Sequence, residues 1–293
     1  MSSIINANDV ELWTIPDLKE SIKEIEHCLH YKPKFIIINA SDNEANKRYI
    51  KAKVKMAEQL GLEAIVMEFG EEVTDEEIIR YITLCSDENI PVIVQLPIYS
   101  HLNKERIFDY IEPWVDADGF SNEWIGKTYA SNITEVQPAT PKGVMALLDY
   151  YEVDYEGKVA LVIGRGKHTG QMLTNMLINE GATVITANGH TKDLHKLTKE
   201  ADIIISCVGK PNLITNEDIK EGAIVIGVGF SYVDGKQVQD FNELELTKAK
   251  YVSSRLNCTG KMTVLALMDN IVNLYKNNHG GLDMKKKVIN KLK

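Results

Sequence analysis

A strand-like run, Lys158-Val159-Ala160-Leu161-Val162-Ile163, leads straight into Gly164-Arg165-Gly166-Lys167-His168-Thr169-Gly170, then a helix ending near Gly181 and a second strand, Thr183–Asn188. Glycines at such a junction permit a tight turn and let the backbone approach a pyrophosphate, which the N-terminus of the following helix stabilises. The spacing G-x-G-x-x-x-G is one residue longer than the commonest dinucleotide fingerprint. The strand before it and the helix and strand after it set it apart from a glycine turn that merely connects elements. A carboxylate at the end of the second strand would hold the ribose hydroxyls of NAD. That position instead reads Asn188-Gly189-His190-Thr191-Lys192, and Arg165, His190 and Lys192 are available to a 2′-phosphate, which favours NADP over NAD.

A second set of residues lies in the first half of the chain. Ser41-Asp42-Asn43-Glu44 has the S-x-x-E form of a capping box opening a helix. On that helix Tyr49 and Lys53 stand four apart and share one face. Val94-Gln95-Leu96-Pro97 follows at a strand end, then His101, then Asp116-Ala117-Asp118-Gly119-Phe120. Singly, each has a plain reading. Lys53 stands among Lys47, Lys51 and Lys55 as one more exposed lysine. Gln95 satisfies backbone groups at a strand end, and Asp118-Gly119 is a turn.

Alternating strands and helices must position these residues. Candidate strands are Lys34–Asn39, Glu63–Phe69, Pro91–Leu96, Lys158–Ile163, Thr183–Asn188, Asp202–Val208, Ala223–Val228 and Lys250–Ser253. Candidate helices are Glu44–Leu60, Glu76–Ser86, Lys142–Tyr151, Thr169–Glu180 and Thr263–Leu274. The alternation implies parallel sheets with right-handed crossovers. Gln137-Pro138-Ala139-Thr140-Pro141 interrupts any helix and offers Thr140 as the cap of the next. Residues 1–140 therefore read as one domain and 141–262 as a Rossmann-like one, with a helix over 263–293 packing back on the first. The fold class is α/β, two domains with a cleft between them, where ligands bind. Lys285 to Lys287, Lys291 and Lys293 read as a solvated end of the last helix.

Composition narrows the function. In 293 residues, 33 basic against 42 acidic side chains give a net charge of −9, the opposite of the basic stripe that nucleic acid requires. No apolar run has the length to cross a bilayer, and Met1 to Leu18 lacks the basic and apolar regions of a secretory signal. Cys28, Cys85, Cys207 and Cys258 show no C-x-x-C spacing, so neither a metal site nor a disulfide framework is expected. These features describe a soluble cytoplasmic protein without nucleic-acid or membrane partners.

The order of the motifs carries more than any one of them. Tyr-x-x-x-Lys on a long helix, V-Q-L-P, D-x-D-G-F and P-x-T-P-x-G before a G-R-x-x-x-x-G loop resembles the bifunctional methylenetetrahydrofolate dehydrogenase/methenyltetrahydrofolate cyclohydrolase family. The likeness continues through Ala182-Thr183-Val184, Ala201-Asp202-Ile203, Gly209-Lys210-Pro211, Ile219 to Ile226 and Met262-Thr263-Val264. It implies a folate domain, an NADP-binding Rossmann-like domain and a homodimer working in one-carbon metabolism. By the same resemblance Tyr49 stacks on the folate, Lys53 is the catalytic lysine, Gln95 its partner and Asp118 the pterin-binding carboxylate. The implied cofactor residues are Gly164, Arg165, Gly166, Gly170, Gly189, His190 and Phe230. These roles suit the side chains. A carboxylate accepts paired N–H donors, a desolvated lysine has a lowered pKa and shuttles a proton, and Gln95 can donate a hydrogen bond that orients Lys53 or the folate.

The departures from the family pattern concentrate in the cofactor half. Gly-Arg-Ser reads Gly164-Arg165-Gly166, and His-Ser-(Arg/Lys)-Thr reads Asn188-Gly189-His190-Thr191. An Asp usual before Val-Gly is Gly227, and a proline- and glycine-rich segment reads Ser254 to Thr263. In the first half, Val115 and Trp124 replace a Lys and an Asn. Three alternatives to the two linked activities therefore stand: an enzyme that keeps one of them, a dehydrogenase for another small acid, and a non-catalytic folate- or nucleotide-binding protein.

Overall fold

The computed structural model describes residues 2–131, 134–233 and 235–279. From the N-terminus the chain forms β1 (Ser3–Ile5), α1 (Asn8–Leu29), β2 (Lys34–Asn39), α2 (Glu44–Leu60), β3 (Glu63–Glu68), α3 (Asp75–Asp87) and β4 (Val92–Val94). Helices α4 (Lys104–Asp109), α5 (Asn122–Ala130) and α6 (Ala139–Tyr150) follow. Next come β5 (Val159–Ile163), α7 (Gly170–Asn179), β6 (Thr183–Ala187), α8 (Leu194–Glu200), β7 (Ile203–Ser206) and β8 (Ile224–Gly227). A hairpin of β9 (Phe230–Val233) and β10 (Lys236–Gln239), then β11 (Tyr251–Ser253) and α9 (Thr259–Asn278), complete the order. Two compact units result.

Among the described residues, the first unit takes in 12–127, 134–139 and 264–279. Its sheet runs β3-β2-β4, all parallel. β2 is apolar on both faces, as a covered parallel strand must be, and Phe35, Ile37 and Ile38 are fully buried. α2 spans the residues expected, but its cap is Asn43 and not Ser41. The Asn43 side chain accepts the Ala45 N–H, while the Ser41 hydroxyl oxygen accepts the Asn43 N–H at 3.2 Å. Asparagine's amide oxygen reaches the second free N–H of the helix, so the first turn closes on it. Gly61, at φ +96°, ends the helix in the left-handed conformation that glycine adopts without strain. In α9, the Tyr275 hydroxyl accepts from the Lys34 N–H and donates to the Lys34 carbonyl, tying the start of β2.

Among the described residues, the second unit takes in 2–11, 128–131, 140–233 and 235–263. Its six-stranded sheet runs β1-β11-β8-β7-β5-β6, parallel throughout. The order β6-β5-β7-β8-β11 is the doubly wound 2-1-3-4-5 arrangement, whose direction reverses between β5 and β7. In such sheets ligands lie beyond the carboxyl ends of the strands at that reversal. β1 pairs with β11, so the first residues join this unit, although the sequence groups them with residues 12–140. Alpha helix α6 begins at Ala139, so Thr140 lies inside the first turn and is no cap; Pro141 fits there because its missing N–H is not needed. α9 starts four residues before the expected helix, and Lys285 to Lys287, Lys291 and Lys293 lie outside the described residues. Among the described residues, no helix is long and apolar enough to cross a membrane.

Candidate functional site

Four lysines punctuate α2, and only one turns inward. Lys47, Lys51 and Lys55 are exposed, whereas Lys53 is 6% exposed. It falls on the stripe with Asn46, Ile50, Ala57 and Leu60, which the helical period buries. Its Nζ donates to Gln95 Oε1 at 2.9 Å, and Gln95 Nε2 donates to the Leu96 carbonyl at 2.9 Å. Gln95 therefore accepts from Lys53 and does not donate to it. An ammonium has only donors, so the atom facing it must be an acceptor. Burial pushes the Lys53 pKa down, and the nearby Asp118 carboxylate works against that shift. Burial pushes Asp118 up, and the Lys53 charge opposes it. The two side chains thus share a site in which neither charged form is fully supported by solvent.

The loop bearing Asp118 is held from both sides. Asp116, 1% exposed, accepts the Gly119 N–H at Oδ1 (2.9 Å) and the Ser121 N–H at Oδ2 (2.6 Å). Burial lifts its carboxyl to about 6. A parallel bridge between Val92 and Asp116 sets this segment against β4, and that register carries Asp118 toward the level of Gln95. From α9, Asn270 donates to the carbonyls of Ala117 (2.9 Å) and Gln137 (2.8 Å). Gly119 has φ +71°, and a Cβ there would lie 2.5 Å from the Gln137 carbonyl carbon; no other residue fits.

Tyr49 is half-buried on α2, one turn ahead of Lys53. His101 takes a different part: Nε2 meets the Val73 carbonyl at 2.9 Å and the ring stacks on Tyr99. The sequence reading missed a row of amides behind the lysine. Asn39 donates to Glu68 and to the Ser41 carbonyl, while Asn46 donates to Asn39 Oδ1 (3.2 Å) and to the Pro97 carbonyl (2.8 Å). Asn46 so ties α2 to the loop after Gln95. Its position seven residues before Lys53, on the same face, was the available signal.

In the second unit the glycine loop divides by physical need. Gly164 has φ +111°, and a Cβ on it would sit 3.2 Å from the Cys207 carbonyl oxygen, across the reversal between β5 and β7. A Cβ on Gly170 would lie 2.0 Å from the Gly164 carbonyl oxygen. Gly166 and Gly189 have open space around them, so no steric requirement selects glycine there. Arg165, Gly166, Gly189 and His190 are exposed. α7 starts at Gly170 with no side-chain cap from Thr169, the condition in which a helix N-terminus serves an anion. Beyond β6, Asn188 Oδ1 accepts the His190 N–H (2.9 Å) and Thr191 Oγ1 accepts the Asn188 N–H (2.8 Å), shaping a turn without an acidic side chain. Phe230 opens β9, and its carbonyl oxygen would be 2.7 Å from a Cβ on Gly209. These residues fit a dinucleotide: required glycines where strand turns into helix, an uncapped helix start, and basic side chains where a ribose carboxylate is absent.

The family model described as tetrahydrofolate dehydrogenase/cyclohydrolase, catalytic domain, matches residues 5–118, and the corresponding NAD(P)-binding domain matches residues 138–279. The chain is 36% identical over 270 residues to the bifunctional protein FolD of Staphylococcus carnosus, covering 91% of this chain and 93% of that one. It superposes with a TM-score of 0.90 on the FolD methylenetetrahydrofolate dehydrogenase/cyclohydrolase of Campylobacter jejuni, at 33% identity over 95% of this chain and 100% of the other. The TM-score is also 0.90 against the FolD of Trypanosoma brucei complexed with NADP cofactor and inhibitor, at 27% identity over 96% and 99%.

Proposed function

The chain belongs to the tetrahydrofolate dehydrogenase/cyclohydrolase family, and from that premise we propose that it oxidises 5,10-methylenetetrahydrofolate with NADP and hydrolyses the 5,10-methenyltetrahydrofolate so formed to 10-formyltetrahydrofolate. The observation that carries this reading is the buried Lys53 amine on Gln95 beside Asp118.

The first unit does the folate chemistry. Asp118 accepts the paired N–H donors of the amino-pyrimidinone edge, and charge-assisted bonds of this kind are the strong ones. Tyr49 stacks on the folate ring system. In the hydrolytic step water adds to the methenyl carbon. The Lys53 amine, whose charged form burial disfavours, takes one proton from that water and returns it to N5 as the C–N5 bond breaks, while the remaining hydroxyl proton leaves to solvent as the formyl carbonyl forms on N10. Gln95 holds one Lys53 N–H and is itself held by the Leu96 carbonyl, which fixes the amine in place.

The second unit holds the nucleotide, and NADP when bound supplies the hydride acceptor for the first step. Backbone N–H groups at the start of α7 and the side chain of Arg165 meet its phosphates, and Gly170, with no room for a Cβ against the Gly164 carbonyl, lets α7 start close beside the end of β5. His190 stands beyond β6 for the 2′-phosphate, with Gly189 open beside it; Gly164, Gly166 and Phe230 shape the same edge. NAD is the weaker partner, because no carboxylate ends β6. The protein works in the cytoplasm as a homodimer and binds no nucleic acid. Half-exposed Tyr232 and Val233 on the β9–β10 ribbon support self-association, and the net charge of −9 opposes nucleic-acid binding.

Purified protein mixed with methylenetetrahydrofolate and NADP, and separately with NAD, tests the first step by absorbance. Methenyltetrahydrofolate alone tests the second. NADPH formation and loss of the methenyl band are expected; neither product with either nucleotide removes the dehydrogenase assignment, and hydrolysis without oxidation leaves a cyclohydrolase alone.

A further inference from the structure

Three loops at the carboxyl edge of the second sheet meet backbone to backbone. Gly164 abuts Cys207, and a Cβ on Gly229 would lie 2.3 Å from the Gly209 nitrogen and 2.5 Å from that of Val208. In register, Ile163 stands beside Ser206 and Ser206 beside Gly227, so the loops after β5, β7 and β8 form one continuous edge. The backbone of Gly227 is already engaged, its N–H donating to Ser253 Oγ (2.8 Å) and its carbonyl accepting from Thr259 Oγ1 (2.9 Å).

Two consecutive residues at the end of β10 brace this edge. Asp240 is fully buried and accepts from the Ser206 hydroxyl and from the N–H groups of Val208 and Lys210, which shapes the loop after β7. Gln239 is 5% exposed. Its Oε1 lies 2.6 Å from the point a Cβ on Gly227 would occupy, with the Phe241 ring 3.2 Å from the same point. That oxygen is buried without a hydrogen-bond partner among the described residues. A buried carboxamide with an unused acceptor is costly to keep unless its bulk is needed.

We propose that Gln239 is a positioning residue for the nucleotide: its carboxamide fills the side-chain space of position 227, where the resemblance leads one to expect aspartate, and props Gly227–Phe230 against the loop after β7. The proposal rests on the reading that this unit binds NADP. It makes the two positions mutually exclusive, since a polar side chain can enter the space from β8 or from β10 but not from both. Moving the carboxamide without changing charge tests it, through Gly227→Asn, Gln239→Gly and the two combined, in the full chain.

NADP dissociation constants are read by calorimetry and thermal midpoints by circular dichroism. Each single substitution is expected to weaken NADP about tenfold, and the pair to recover to within about threefold of the starting chain, the size of coupling usual for residues in contact. Should Gly227→Asn fail to fold, Gln239→Ala carries the same expectation of about tenfold weakening. Additive losses in the pair, or substitutions that move only the thermal midpoint and leave NADP affinity unchanged, overturn the role of Gln239. A starting chain that binds neither NADP nor NAD overturns this inference and the nucleotide assignment together.

Discussion

Lys53 Nζ and Gln95 Oε1 stand 2.9 Å apart, both side chains more than nine-tenths buried. The lysine arrives from a helix face and the glutamine from a strand end, so the amine is located by two elements that the core already fixes. Methionine at position 53 keeps the length of the side chain and removes its proton. Lys53→Met should therefore cut methenyl hydrolysis by about a hundredfold or more, the range general acid–base groups supply. Hydride transfer, which asks for orientation more than for a proton, should remain measurable. Following the methenyl band and NADPH in parallel separates the two, and unchanged hydrolysis would falsify the role given to Lys53.

Asp118 is the charge that opposes the effect of burial on Lys53. Replacing it by asparagine removes that support and leaves the burial. The Lys53 pKa then falls further, and whichever limb of the pH–rate profile of hydrolysis belongs to Lys53 moves to lower pH. The same change removes a charged acceptor for the pterin edge, so folate KM should rise about tenfold. The measurement is a kcat profile for both proteins at saturating folate. A limb that stays in place, or moves to higher pH, contradicts the pairing of Asp118 with Lys53.

Two glycines of the same loop should answer differently to alanine. At Gly170 the new methyl meets the Gly164 carbonyl oxygen at 2.0 Å, and neither backbone can retreat without moving β5 or α7. Overpacking of this kind costs about 1–3 kcal/mol, and NADP affinity should fall with it. At Gly166 nothing lies within 4 Å, and Gly166→Ala should stay within about 0.5 kcal/mol of the parent. Denaturant titrations with and without NADP make the comparison. Equal losses at the two sites would show that the tight contact between Gly170 and Gly164 does not decide the loop's tolerance.

What the sequence made legible, and what it hid, follows from the range of the interactions. β2, α2, β5 and α7 announce themselves by local patterns, because strand runs buried on both faces are β-branched and helix faces repeat every three to four residues. Tyr49, Lys53, Gln95 and Asp118 were readable as an ordered set, yet composition alone gave Lys53 to solvent along with its three neighbours. Only the phase of the buried stripe of α2 distinguishes it. α1 was hidden, with Pro16 inside it breaking the usual helix signal. Contacts distant in sequence were hidden too: β1 on β11, Asn270 on the Ala117 carbonyl 153 residues away, and Gln239 beside Gly227. The direction of the Lys53–Gln95 bond differs from the expectation that Gln95 donates: Gln95 accepts from Lys53 through Oε1 and spends its N–H on the Leu96 carbonyl.

Asp116 provides a test of the loop's electrostatics that needs no substrate. Burial raises its carboxyl from the ordinary 3.8 to about 6, with the bonds from Ser121 pulling the other way and the Asp118 charge adding to the rise. The folded state therefore holds the proton over a window, from about pH 4 to about pH 6, in which the unfolded chain has released it. Stability from this group is complete below the unfolded value and is lost as pH rises through the folded one. A shift of about two units corresponds to about 3 kcal/mol at most. Asp116→Asn cannot titrate, and its amide nitrogen faces one of the two N–H donors, which adds a penalty independent of pH. The stability of the parent relative to the variant should thus decline between pH 4 and pH 7 and be level above that. Urea titrations at several pH values read the difference. A difference that is constant, or that grows toward neutral pH, would mean that the N–H groups of Gly119 and Ser121 stabilise the ionised carboxylate more than burial disfavours it.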